Sequence, residues 1–293
     1  MHLRRRPPAK EARFGAREPR LMQNEGMQNP SASGVSLSLA GRTALITGGS
    51  RGIGAATVRL FHQAGARVAF SYRQATDQAH ALSAACRGSD DCLPIQHDLD
   101  TPEDGEALVA ATLAAFGDLD ILVVNHGIWP PVEASIATMT AAQWHRTQAI
   151  NVDSVFGVIH AAAAHMLTRP ASDNARGHIV LVASAAGQRG EAFHADYAAS
   201  KGALISLTKS LSSELGPHGI YANCVAPGWT YTEMTSSVFD NPENAARANA
   251  GIPLGRPGHV DEIAGPILFL CTPFAGFISG EILNVNGGAV LIG

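Results

Sequence analysis

The sequence is poor in charge, aromatics and cysteine. Only 16% of its 293 residues are charged, 6% are aromatic and four are cysteine. With 46% hydrophobic residues, so little charge excludes an intrinsically disordered chain. Cys86, Cys92, Cys224 and Cys271 form no CxxC pair and show no metal-ligand spacing, and the twelve histidines contain no HExxH pattern; no metal site is expected. No run of 18 apolar residues occurs, so no membrane span is expected. No apolar segment follows the basic N-terminus, as a secretory signal would require. The expected compartment is therefore the cytoplasm, with reduced thiols.

The formal net charge of -4 conceals an asymmetry. Residues 1–36 carry seven Lys/Arg and three Glu, hence +4; the remainder, with 14 basic and 22 acidic residues, carries -8. The first 36 residues lack sustained apolar periodicity and are expected to be a disordered basic extension. Three Glu argue against an organellar transit peptide, and a single Phe14 argues against a nucleic-acid or membrane arm. Met22 and Met27 are possible later starts. Residues 37–293 are expected to be one domain.

From Leu37 onward, short apolar runs alternate with helical patterns. Thr43–Thr47, Arg67–Tyr72, Ile121–Asn125, His178–Val182, Tyr221–Ala226 and Ile282–Val285 read as strands covered on both faces, and Cys92–His97 as a weaker one interrupted by Pro94. Helices are expected over 53–64, 76–87, 102–116, 140–167, 195–215 and 259–271. Thr101-Pro102-Glu103-Asp104 opens one with an N-cap, and Gly65 and Gly117 stand where two should stop. The fold class is α/β: a doubly wound parallel sheet of about seven strands with helices on both faces, the Rossmann arrangement.

Two motifs carry chemistry. The first strand runs into Thr47-Gly48-Gly49-Ser50-Arg51-Gly52-Ile53-Gly54 and then a helix. Glycines at such a turn let the backbone approach a pyrophosphate, and the helix start offers free N–H groups. At the end of the second strand, where NAD enzymes usually place an acid for the ribose 2′-OH, the sequence has Arg73, with Arg51 inside the turn. Arginine suits a 2′-phosphate, so NADP(H) is expected over NAD(H). The second motif is Tyr197-Ala198-Ala199-Ser200-Lys201, which puts Tyr and Lys on one helix face; the ammonium is expected to lower the tyrosine pKa from its usual ~10. Ser184 stands 13 residues upstream, at the end of a strand, and Asn151 lies in the helix after the fourth strand.

The TGxxxGxG spacing together with Asn151, Ser184, Tyr197 and Lys201 resembles the short-chain dehydrogenase/reductase family, across residues 37–293. The resemblance implies hydride transfer between a nicotinamide and a carbonyl. Ser184 would bond the carbonyl oxygen, Tyr197 would be the acid/base, and Lys201 and Asn151 would resupply the proton through water. It further implies cofactor contacts from Gly48, Ser50, Arg51, Gly52, Ile53, Gly54, Arg73, Asp98, Leu99, Asn125, Gly127, Tyr197, Lys201, Pro227, Gly228, Thr230 and Thr232. Val124 and His126 depart from the family's NNAG segment; Thr168–Gly177 is longer than usual; Gly280 and Asn286-Gly287-Gly288 match its C-terminal pattern. It also implies a homotetramer burying apolar surface on helices 140–167 and 195–215.

The nearest general likeness is to 3-oxoacyl-(acyl-carrier-protein) reductases. An acidic carrier would need a basic patch, for which Arg169, Arg176, Arg189 and His218 are candidates, although the -8 body opposes it. Small carbonyl or alcohol substrates (sugar, polyol or steroid) are the alternative, with nucleic acid and membrane not expected as partners. A non-catalytic NADP-binding redox sensor is the different class; such relatives tend to lose the tyrosine. Substrate-facing segments are expected at Ile128–Pro131, Gln188–His194 and Trp229–Gly255.

Overall fold

Seven short, apolar segments align side by side in the computed structural model, which describes residues 36–86, 90–171 and 175–291. They are β1 (Thr43–Ile46), β2 (Arg67–Tyr72), β3 (Cys92–Gln96), β4 (Ile121–Val124), β5 (Gly177–Val182), β6 (Ile220–Pro227) and β7 (Ile282–Val285). All pair in parallel, in the order β3-β2-β1-β4-β5-β6-β7. The expected Rossmann arrangement is present. Pro94 is accommodated because β3 is an edge strand, its Cα opposite Phe70. The basic extension expected over residues 1–36 lies outside the described residues except for Ser36.

Helices cover both faces. On one face α1 (Gly52–Gln63), α2 (Thr76–Ala85) and α10 (Val260–Leu270) bury Val58, Phe61, Ala79, Leu82, Ile263 and Ile267 against Val68, Phe70, Ile121 and Val123. On the other α3 (Pro102–Phe116), α5 (Ser154–Thr168) and α7 (Ala195–Leu215) bury Leu108, Val158, Met166, Leu204 and Leu211 against Leu45, Leu122, Ile179 and Leu181. Strands buried on both faces explain why their sequence is apolar without alternation. The expected N-cap at the start of α3 proves to be a full capping box: Thr101 Oγ1 accepts from the Asp104 amide at 3.3 Å and Asp104 Oδ2 from the Thr101 amide at 2.9 Å. Gly117 ends the helix in the left-handed region, at φ 77°.

The single helix expected over 140–167 is in fact three pieces. It comprises α4 (Ala141–Gln148), one π turn over Ala149–Asp153 and α5. Within Ala141–Thr168 an 18-residue window has mean hydropathy 1.3, enough by length and composition to cross a membrane, contrary to the sequence expectation. Half of that window is buried, and Val155, Val158, Ile159, Ala162 and Met166 point into the core against α3. The hydropathy is that of a core helix. Three short helices not expected from the sequence are α6 (Ala185–Arg189), α8 (Ser236–Phe239) and α9 (Pro242–Ala250).

The two ends of the sheet differ in chemistry. Before β1, β4 and β5, an ionic network joins Arg42 to Asp120 (3.1 Å), Arg169 to Asp120 (2.5 Å) and Asp118 (2.6 Å), and His165 to Asp118 (2.8 Å). The carboxyl-terminal ends of the strands open into a cleft.

Candidate active site

The cleft lies beyond the carboxyl ends of β1, β4, β5 and β6 and encloses about 630 Å³. The strand order reverses between β1 and β4, the place where open α/β sheets bind ligands. At β1 the chain turns through Gly48 (φ 64°) and Gly52 (φ 55°) into α1. A side chain at Gly54 would overlap the Gly48 carbonyl and come within 2.6 Å of Asn125 Nδ2; at Gly49 it would meet Phe70 Cβ at 2.5 Å. Asn125, at the end of β4, donates from Nδ2 to the Thr47 and Gly48 carbonyls, both at 3.1 Å. The turn is thereby pinned to the sheet, with no acidic residue in the first turn of α1 and no side chain capping it. Close-packed backbone with uncapped N–H groups fits a dinucleotide's pyrophosphate. Gly48, Ser50, Arg51, Gly52, Ile53 and Gly54 all line the cleft here.

Arg73 and Leu99 line its far end, but Asp98 does not: its carboxylate faces Arg73 Nε at 3.4 Å, both side chains being about half exposed. On the opposite wall Pro227, Gly228, Thr230 and Thr232 line the cleft. Thr235 Oγ1 donates to the Thr230 carbonyl (2.6 Å) and accepts from the Thr232 amide (3.0 Å), which brings Thr232 to the glycine turn.

His126 sits at the join of β4 and the cleft. Its Nδ1 pairs with Thr47 Oγ1 at 2.7 Å and its Nε2 with Ser154 Oγ at 2.9 Å. Burial, then the charge of Lys201, depress its pKa to about 3, so it bridges β1 to α5 as a neutral ring.

Ser184, Tyr197 and Lys201 converge beside it. Ser184 follows β5 and caps α6, its Oγ accepting from the Ala186 amide at 3.1 Å, and it lines the cleft together with Tyr197. Lys201, one turn beyond Tyr197 on α7, is buried; its Nζ donates to the Val182 carbonyl at 2.9 Å and lies 5.9 Å from the Tyr197 ring centroid. Burial lowers its pKa to about 8. The phenol does not show the expected lowering. Burial pushes Tyr197 up to about 12, the Ser184 side chain opposes this, and the Glu191 carboxylate adds to it. The ammonium is turned toward Val182 instead, so Tyr197 stands ready as a neutral acid.

Asn151, in the π turn, is fully engaged. Its Oδ1 accepts from the Ile128 amide at 2.8 Å, and its Nδ2 donates to the Ile128 carbonyl at 2.9 Å and to Ser200 Oγ at 3.0 Å. It is not among the residues lining the cleft, and its side chain holds the Ile128 backbone. Gly127 lies between Asn151 and Lys201: a side chain there would meet Asn151 Oδ1 at 3.1 Å and Lys201 Nζ at 3.4 Å. The π turn supplies this placement, as such turns often do at functional sites.

Of the four candidates for a basic patch, only Arg189 lines the cleft. Arg169 is held in the ionic network at the opposite end of the sheet. Arg176 and His218 immediately precede β5 and β6 and so lie at that end too. Sequence reasoning named the segment Gln188–His194 but not Glu191, whose carboxylate lines the cleft close enough to Tyr197 to affect it. All four cysteines are buried and free. Among the described residues no group of three or more His, Cys, Asp or Glu is placed to hold a metal.

A family model described as enoyl-(acyl carrier protein) reductase matches residues 48–290. The 3-oxoacyl-[acyl-carrier-protein] reductase FabG of Vibrio cholerae is 35% identical over 256 residues, 87% of this chain and 100% of the relative. A Brucella melitensis crystal structure described as short-chain dehydrogenase/reductase SDR:glucose/ribitol dehydrogenase superposes with TM-score 0.80 at 35% identity, covering 88% of this chain and 100% of the other. A Burkholderia cenocepacia short chain dehydrogenase in complex with NADP gives TM-score 0.76 at 36% identity, covering 86% and 98%. Fold, cleft and these likenesses agree: the chain belongs to the short-chain dehydrogenase/reductase family and is an oxidoreductase.

Proposed function

We propose that the protein interconverts a carbonyl and an alcohol with NADP(H), using Tyr197 as the acid/base. The observation that carries this reading is the convergence of Ser184, Tyr197 and Lys201 on one cleft at the carboxyl ends of the central strands, with the buried phenol neutral. When bound, the nicotinamide supplies hydride to the carbonyl carbon. Ser184 and Tyr197 hold the carbonyl oxygen as negative charge develops on it, and Tyr197 gives it a proton. Lys201, whose pKa of about 8 keeps it mostly charged at neutral pH, resupplies the phenol's proton through water. Asn151 acts at one remove, by fixing Ile128 and the wall next to Lys201. In the oxidative direction Tyr197 removes the alcohol proton.

The preference for NADP(H) rests on Arg73 and Arg51 in the cleft, where a 2′-phosphate needs positive charge. The exposed Asp98–Arg73 contact is too weak to withhold the guanidinium. For the substrate, the Vibrio relative's name points to a carrier-bound 3-oxoacyl group and the Brucella structure's to a sugar or polyol. Of the four candidates for a carrier-binding patch only Arg189 lines the cleft, and in a body of charge -8 this favours a small neutral substrate over an acidic carrier. Retention of Tyr197 opposes a purely sensory role. Exposed Phe156 and Leu167 on α5 support a homotetramer, and four free thiols support a reducing, cytoplasmic setting.

The test is NADPH and NADH oxidation against a panel of ketones, aldoses and acetoacetyl thioester. Turnover with NADPH preferred supports the reading. Tight NADPH binding with no turnover on any carbonyl would favour the sensor.

A further inference from the structure

Between α6 and α7 the chain makes a turn that the local sequence does not prefer. Gly190 has φ 78°, and Phe193, which is not glycine, has φ 65°. Non-glycine residues held there are strained and persist only where the surroundings over-determine them. Here the surroundings are explicit. The Phe193 carbonyl accepts from the Ala134 amide at 3.0 Å. His194 is buried, donates from Nε2 to the Pro130 carbonyl at 3.0 Å and stacks on Trp129, with centroids 4.6 Å apart and planes at 19°.

The product of this turn is the position of Glu191. Its side chain is 16% exposed and lines the cleft with Tyr197, Trp129, Trp229 and Arg189. His194 Nδ1 lies 3.9 Å from its carboxylate, with Trp129 stacked on the same imidazole. Glu191 and Tyr197 line the same cleft, and the carboxylate's charge helps raise the Tyr197 pKa. Beside it, Trp129 and Trp229 meet edge to face (6.2 Å, 84°), and Phe239 backs Trp229 at 5.8 Å and 86°.

A carboxylate offers about four lone-pair directions and accepts donors from a bound molecule. A hydroxyl on the carbon next to the reacting one supplies such a donor. A hydroxyl-free ketone leaves it unpaired, and the second carbonyl of a 3-oxoacyl thioester, being an acceptor, faces it unfavourably. An anionic substituent is repelled. The indole corner packs against C–H faces.

We propose that the cleft is built for a neutral polyhydroxylated carbonyl compound or its alcohol, of sugar or polyol type. Glu191 accepts a hydrogen bond from the hydroxyl adjacent to the reacting carbon, and the Trp129–Trp229 corner packs on the carbon skeleton. The inference rests on the carbonyl–alcohol chemistry proposed above. The redox balance is unchanged: carbonyl, NADPH and a proton become alcohol and NADP+.

The experiment compares NADPH-dependent reduction of 2-hydroxycyclohexanone, cyclohexanone and acetoacetyl-N-acetylcysteamine by the full chain and by Glu191→Gln. NADPH binding is followed by fluorescence in both. The wild type should favour the hydroxyketone over cyclohexanone in kcat/KM by about 10- to 100-fold, the range of a hydrogen bond to a charged group. In Glu191→Gln that ratio should fall at least about fivefold as the charge is removed, with NADPH affinity within about twofold of wild type. Equal wild-type rates on the two ketones, a wild-type preference for the thioester, or an unchanged ratio in the variant each overturn the proposal. The wild-type ratio needs no variant, so insolubility of Glu191→Gln leaves the proposal decidable. NADPH binding without reduction of any of the three overturns the carbonyl chemistry itself, and this inference with it.

Discussion

Replacing Lys201 by methionine should stabilise the fold near neutral pH and do the reverse in alkali. Lys201 is buried with its pKa lowered to about 8 from the model-peptide value of 10.5. A lysine depressed in the folded state binds fewer protons there than when unfolded, so stability rises as pH climbs from the folded toward the unfolded pKa. The folded state carries a penalty of about 3 kcal/mol at pH 7, below both pKa values, and of about 1 kcal/mol at pH 10, between them. Methionine removes the penalty but leaves the Val182 carbonyl, bonded to Nζ at 2.9 Å, without its donor, at a cost of about 1.5 kcal/mol. The variant should therefore be more stable by about 1–2 kcal/mol at pH 7 and less stable by about 0.5–1 kcal/mol at pH 10. For a domain of this size the neutral-pH gain corresponds to a rise in Tm of roughly 2–8 °C. Paired thermal and urea unfolding of both proteins at the two pH values measures it. A variant less stable than wild type at pH 7, or a difference that does not change sign with pH, would refute the reasoning. Turnover should be lost in either case, so the site would be shown to hold a charge at the expense of stability.

Gly54→Ala should destabilise the fold by about 3 kcal/mol and abolish NADPH binding, because its methyl overlaps the Gly48 carbonyl; normal binding in a titration would show that the turn is not tightly packed. Arg73→Ala should lower kcat/KM for NADPH by about 10- to 100-fold while sparing NADH, and an unchanged ratio would remove Arg73 from cofactor selection. His126→Ala should cost about 1–3 kcal/mol in urea unfolding by leaving Thr47 and Ser154 short of a partner. The wild-type rate profile should show no His126 inflection between about pH 5 and 8, since that ring titrates near 3.

The strands were legible because burial on both faces writes an unbroken apolar run, and the glycine turn because Gly48, Gly52 and Gly54 stand between a strand and a helix. The π turn was not legible: Ala149–Asp153 contains no glycine or proline to mark it, and only packing against Ile128 and Ser200 shows why Asn151 needs it. The pKa of Tyr197 was misjudged from spacing alone. Residues four apart share a helix face, but burial of the phenol and the turn of Lys201 toward Val182 decide the sign. The rule that puts Ser184 in the cleft, because it follows a parallel strand, also puts Arg176 and His218 at the opposite end, because they precede one. Glu191 escaped notice because its placement depends on the φ of Phe193 and on contacts with Trp129, Pro130 and Ala134, some 60 residues away.

The central claim is that Tyr197 supplies the proton to a carbonyl reduced at this cleft. Single-turnover and steady-state NADPH oxidation, measured on a carbonyl accepted by the wild type, tests it in Tyr197→Phe. The account predicts loss of turnover by about 1,000-fold or more with NADPH affinity little changed, since only the transferable proton has gone. A Tyr197→Phe protein that still turns over within about tenfold of wild type would contradict it.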